Sequence, residues 1–206
     1  MAQARKGSAH GLWTPANVVT CVRIAFIPVF MVVALLARGA SGAVSAPLDV
    51  AAFVVYVVLS LTDKFDGHLA RSRNEVTDFG KFLDPIADKL LVFSALLLLL
   101  QQGLVGVWAV FLILVREFLV SALRMLAASK GVVIAADSLG KAKTAVTMVS
   151  LCAYYLALAL VALGLALPGD VVLHVARVLM VVAVVLTVVS GVQYFWNARS
   201  VIAGGE

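Results

Sequence analysis

The stretch Thr62-Asp63-Lys64-Phe65-Asp66-Gly67-His68-Leu69-Ala70-Arg71, followed after a short polar turn by Gly80-Lys81-Phe82-Leu83-Asp84-Pro85-Ile86-Ala87-Asp88-Lys89, decides how the rest of the chain is read. Positions three and four apart share one face of a helix. Asp63, Asp66, Gly67, Ala70 and Arg71 therefore form one stripe that carries two carboxylates and a guanidinium. Gly80, Asp84 and Asp88 recur at intervals of four and give a second acidic stripe on the helix after the turn. Pro85 is expected within the first turn of that helix, where a missing amide has no helical partner to lose. Two antiparallel neighbours marked in this way pool four carboxylates at one depth. Negative charge of that density beside lipid is untenable unless cations neutralise it.

That the surroundings are lipid follows from composition. The 206 residues are 63% hydrophobic and 13% charged, with a mean hydropathy of +1.08, well outside the range of soluble domains. A helix needs about 20 residues to cross the hydrocarbon core, and apolar runs of that order recur along the chain. They predict an all-α integral membrane protein, a bundle of six transmembrane helices near 16–38, 48–71, 79–101, 104–129, 140–165 and 172–198. Arg38 to Pro47, Gln101-Gln102-Gly103 and Leu167-Pro168-Gly169-Asp170 read as the connecting turns. One membrane domain over 1–206, with 1–15 as a juxtamembrane segment, is expected.

Basic residues set the orientation, because Lys and Arg near helix ends are retained on the cytoplasmic side. Arg5, Lys6, Lys64, Arg71, Arg73, Lys81, Lys89, Lys130, Lys141, Lys143 and Arg199 all fall on one side, whereas the opposite loops carry Arg38. Both termini and the acidic stretch are thus assigned to the cytoplasm, and the absence of a Ser-rich transit segment favours a cell (inner) membrane over an organellar one. The net charge of +5 suits an anionic lipid surface. With no polybasic run or aromatic-basic pattern, it does not point to nucleic acid. The first apolar run is not followed by a small-residue cleavage site, so no removable signal peptide is expected. Cys21 and Cys152 read as packing residues in separate apolar segments, and His10, His68 and His174 show no ligand spacing.

Four oxygen donors without His or Cys favour hard cations, Mg²⁺ or Mn²⁺, and suffice for two ions. A metal pair about 4 Å apart suits phosphoryl transfer, since it clamps the phosphate and steadies both entering and leaving oxygens. The plain alternative is that these aspartates are helix-end charges paired with Lys64, Arg71, Lys81 and Lys89. A second basic set lies at membrane depth: Arg116 and Arg124 share a helix face, and Lys141 and Lys143 open the next helix. Such charges are costly in lipid unless an anion meets them. The competing reading pairs Arg116 with Glu117 and lets the lysines mark the membrane boundary. From another class, an ion path would also use intramembrane carboxylates. The acidic cluster lies at one face with no matching set at the other, and no internal repeat is evident.

The string from Thr62 to Arg71, with that from Gly80 to Lys89, closely resembles the signature of the CDP-alcohol phosphatidyltransferase family. Pro15-Ala16-Asn17 with Thr20, Arg23 and Pro28, Val76 to Lys81, Arg116-Glu117-Phe118 with Arg124, and Gly140 to Thr144 are most similar to its phosphatidylglycerophosphate synthase branch. The resemblance implies a homodimeric membrane enzyme that moves a phosphatidyl group from CDP-diacylglycerol to an alcohol and releases CMP. By matching position, Asp63, Asp66 and Asp84 look like metal ligands, and Asp88 like the general base that also touches the second ion. Gly67, Arg71 and Thr77 look like positions that hold the CDP-lipid, with Asn17 and Thr20 completing that pocket or simply capping and bridging helices. Glycerol 3-phosphate is the expected acceptor, its dianion matched to Arg116, Arg124, Lys141 and Lys143. Inositol phosphate, or phosphatidylglycerol as in cardiolipin synthases, would use the same nucleotide half.

Overall fold

The computed structural model describes residues 14–40, 44–72, 78–129 and 138–202. Six helices follow in order: α1 (Pro15–Gly39), α2 (Ser45–Ser72), α3 (Asp78–Gln101), α4 (Val107–Ser129), α5 (Ser138–Ala162) and α6 (Ala166–Ile202). α1 starts where its sequence says it should. Thr14 stands at the N-cap and its hydroxyl accepts from the Asn17 amide at 3.3 Å, with Pro15 just inside the helix.

The burial pattern is that of a protein dissolved in lipid. Along α1, Val18, Val22, Phe26, Val29, Val32 and Leu36 are exposed at helical spacing. The opposite stripe, Asn17, Thr20, Arg23, Ile27, Phe30, Ala34 and Ala37, is buried. Its polar half lies toward the N-terminus and its apolar half toward the C-terminus, so one helix face serves a site at one end and a core at the other. Within α1, α2, α5 and α6 lie segments long and apolar enough to span a membrane. α3 and α4 differ in carrying charges within the span, Asp84, Asp88 and Lys89, and Arg116, Glu117 and Arg124, where the site is built.

Packing runs around a ring. α1 lies against α2 and α3, α2 against α5, α5 along α6, α6 against α4, and α4 returns to α3, where Phe93 and Phe118 stack with centroids 5.8 Å apart. The middle is held by Phe30, Tyr56 and Tyr155, whose ring centroids are 5.2 to 5.5 Å apart. The Tyr155 hydroxyl donates to the Ala95 carbonyl of α3 at 3.3 Å, and Ser150 Oγ to the Ala176 carbonyl of α6 at 2.8 Å. Buried alanines at 95, 157, 159, 176 and 183 let the backbones approach, the usual basis of helix association where lipid supplies no hydrophobic drive.

Three sequence expectations are corrected. Leu167-Pro168-Gly169-Asp170 belongs to the start of the 37-residue α6. The turn lies earlier, at Gly164, whose φ of +82° is glycine's region. Pro168 is tolerated in the first turn for want of a needed amide, and Gly169 lets α6 close on α5, since a Cβ there would meet Val161 Cγ2 at 2.6 Å. Pro47 likewise sits in the first turn of α2 instead of the preceding turn. Pro85, expected in the first turn of its helix, lies in the interior of α3. It therefore withdraws one rung of the helical ladder within the segment that bears Asp84 and Asp88.

Candidate functional site

α3 presents Asp84 and Asp88 one turn apart, toward α1. Thr20 Oγ1 donates to Asp84 Oδ1 at 2.8 Å, and Arg23 Nη1 to Asp88 Oδ1 at 3.3 Å. The two donors are themselves three apart on α1, so two helical periods in register make both contacts. Thr20 is 1% and Arg23 2% exposed. A guanidinium so deep in a membrane bundle must meet an anion, and Asp88 is one that it meets. Asn17, one turn earlier on the same face, is buried beside them.

Asp88 is not closed in by Arg23: its side chain is 41% exposed. It opens into a cavity of about 210 Å³ between α3, α4 and α5. Arg116, Arg124 and Lys143 line the same cavity, as do Lys89, Glu117 and Ser121. Arg124 also lies over the Tyr194 ring of α6, 5.5 Å from its centroid. The structure thus brings three of the four acceptor candidates to the carboxylate expected to act as base. Lys141 is exposed and does not line the cavity. Two residues from Lys143, it points to nearly the opposite side of α5.

Asp63, Asp66, Gly67 and Arg71 fall on the last turns of α2, which packs against α3, and their side chains lie outside the described set. Thr77 lies outside the described residues. Among the described residues no group of three potential metal-ligating side chains forms, because two of the four expected ligands are those α2 aspartates. What is described fits a hard divalent cation. Asp84 and Asp88 offer oxygen donors one turn apart, with a hydroxyl and a guanidinium behind them to fix their orientation.

The sequence reading does not place Arg23, Lys89, Ser121 or Glu117 among the substrate- or metal-binding residues. The signal for Arg23 was present: Asn17, Thr20 and Arg23 are polar at one helical period in an otherwise apolar run. Spacing alone offers Glu117 as a local partner of Arg116. The pair does form, at 3.1 Å, but the same oxygen also receives Lys143 from another helix.

The CDP-alcohol phosphatidyltransferase family model matches residues 13–189. The chain is 42% identical over 191 residues to the CDP-diacylglycerol--glycerol-3-phosphate 3-phosphatidyltransferase of Bacillus subtilis (strain 168), covering 88% of this chain and 95% of that protein. To the probable phosphatidylglycerophosphate synthase of Mycobacterium tuberculosis (strain CDC 1551 / Oshkosh) it is 40% identical, over 92% of this chain and 83% of the other. A Rickettsia bellii (strain RML369-C) protein named as the Bacillus one is 38% identical over 87% of this chain and 92% of its own length.

Proposed function

Because the chain belongs to the CDP-alcohol phosphatidyltransferase family, we propose that the cavity beside Asp88 is where its acceptor alcohol meets the CDP-lipid. The enzyme transfers the phosphatidyl group of CDP-diacylglycerol to glycerol 3-phosphate, giving phosphatidylglycerophosphate and CMP in phospholipid biosynthesis. The observation that carries our assignment is the shared wall: Asp88, Arg116, Arg124 and Lys143 line one cavity of about 210 Å³. That is smaller than the roughly 300 Å³ at which pockets for drug-sized ligands begin, and so suits a compact polyol phosphate.

In this reading Arg116, Arg124 and Lys143 hold the acceptor's phosphate by charge-assisted hydrogen bonds. Its free primary hydroxyl is directed toward Asp88. Arg23 keeps Asp88 Oδ1 engaged from the α1 side, which leaves the carboxylate's open side to take the hydroxyl proton as attack begins. The hydroxyl oxygen bonds to the lipid-linked phosphorus, the bond from that phosphorus to the CMP oxygen breaks, and CMP departs with the electron pair. Gly67, Arg71 and Thr77 bind the cytidine diphosphate, and Asn17 and Thr20 complete that side. Asp63, Asp66, Asp84 and Asp88 would hold two Mg²⁺ or Mn²⁺ ions, which supply neutralisation of charge on the pyrophosphate when bound. No covalent enzyme intermediate is needed, so CMP should not be released in a burst before acceptor is added.

We place the enzyme as a homodimer in the cell (inner) membrane, with both termini and the cavity on the cytoplasmic side. The one-sided distribution of Lys and Arg supports that orientation. The decisive experiment is a radiolabelled acceptor panel with CDP-diacylglycerol and Mg²⁺ on purified enzyme. Product with glycerol 3-phosphate alone is expected. Product with inositol phosphate or phosphatidylglycerol in its place would overturn the acceptor assignment.

A further inference from the structure

Arg116 and Lys143 come from different helices, α4 and α5, yet both reach the same atom, Oε1 of Glu117, Arg116 Nη1 at 3.1 Å. Lys143 is 4% exposed and the Arg116 side chain 12%. Two cations buried so closely repel each other and would not stay in place without an anion between them. The backbone of Glu117 is tied in as well: its carbonyl accepts from Ser121 Oγ at 2.8 Å and from Lys89 Nζ at 3.5 Å, and Lys89 also reaches Ser121 Oγ. Glu117 therefore joins three helices, its carboxylate linking α4 to α5 and its carbonyl receiving Lys89 of α3.

The path of Arg116 is confined on both sides by glycine. A Cβ at Gly140 of α5 would lie 3.3 Å from Arg116 Nη2, and a Cβ at Gly191 of α6 would lie 3.2 Å from its Cγ. Both distances are tighter than ordinary contact, so even a methyl group at either position requires Arg116 to give by a few tenths of an ångström. Lys89, Arg116, Arg124 and Lys143 line the cavity with two carboxylates, Glu117 and Asp88, and Asp88 is also met by Arg23 from α1, so positive charge is in excess there, as an anionic phosphate requires.

We infer that Glu117 is a positioning residue for the acceptor. It holds Arg116 and Lys143 as a fixed pair, with Gly140 and Gly191 keeping the channel for Arg116 clear, so that the acceptor's phosphate binds to cations already in place. This inference rests on the reading that the cavity takes the acceptor's phosphate.

The test is steady-state kinetics of the full-length enzyme in mixed micelles with CDP-diacylglycerol, varying glycerol 3-phosphate. Glu117→Gln should raise KM for glycerol 3-phosphate at least about tenfold while KM for CDP-diacylglycerol and kcat move less than about threefold. Glu117→Asp should recover part of the loss, and Gly191→Ala should raise the same KM by a smaller factor. A Glu117→Gln enzyme whose acceptor KM is unchanged or lowered overturns the inference, because the carboxylate would then be idle or a mere competitor of the phosphate. If Glu117→Gln fails to fold, Glu117→Asp and Gly191→Ala decide: an acceptor KM unchanged in both overturns it. Arg116→Ala separates the underlying reading, since an unchanged acceptor KM there removes the cavity as acceptor site, whatever Glu117 does.

Discussion

The two walls that meet at Asp88 are built in opposite ways. On the α1 side, Thr20 and Arg23 are buried and each engages one aspartate of α3. On the α4 and α5 side, the cations outnumber the carboxylates and surround an open volume. A wall whose buried donors are committed to the site's carboxylates fixes geometry, whereas one with surplus charge and space is made to receive something. Asp88 belongs to both, held from behind and open in front.

The largest effect expected from breaking this arrangement is at the shared residue. Asp88→Asn should lower turnover by about 10²-fold to 10⁴-fold, the range of a lost general base, with CDP-diacylglycerol binding retained. CMP release alongside radiolabelled lipid binding checks both halves, and an active Asp88→Asn enzyme removes it as base. On the receiving wall, Arg116→Ala or Lys143→Ala should raise KM for glycerol 3-phosphate about tenfold to a hundredfold, as expected for losing a hydrogen bond to a charged group. A fall in kcat with no change in KM would instead place these cations in catalysis alone.

On the fixed wall the readout differs. Thr20→Val removes the donor to Asp84 and should shift the Mg²⁺ dependence of activity about tenfold upward while sparing acceptor KM. An acceptor-only effect would erase the distinction between the walls. Smaller still, Lys141→Ala should shift acceptor KM less than Lys143→Ala, since only Lys143 lines the cavity. Smallest of all, Tyr155→Phe loses one core hydrogen bond to Ala95 and should cost about 1 kcal/mol of stability in thermal unfolding, with kinetics little changed.

The six helices were legible because a membrane span is a length requirement that composition reveals directly. The start of α6 was misread because Pro168 and Gly169 carry turn chemistry in general, yet proline is harmless in a first turn and Gly169 serves close packing on α5. Asp84 with Asp88, and Arg116 with Arg124, were legible as pairs because helical periodicity alone puts them on one face. The choice between Lys141 and Lys143 shows only in a longer stripe, Lys143 with Thr147, Ser150 and Tyr154, all buried at helical spacing, which a reading of the basic residues alone passes over. Glu117's second partner lies on another helix, and nothing local in the sequence records that meeting.

The most direct test is a structure of the enzyme with a CDP-lipid, Mn²⁺ and glycerol 3-phosphate bound. The acceptor's phosphate should lie among Arg116, Arg124 and Lys143, with its primary hydroxyl about 2.6 to 3.2 Å from an Asp88 oxygen. A phosphate bound outside the α3, α4 and α5 cavity, or a hydroxyl directed away from Asp88, would contradict the account.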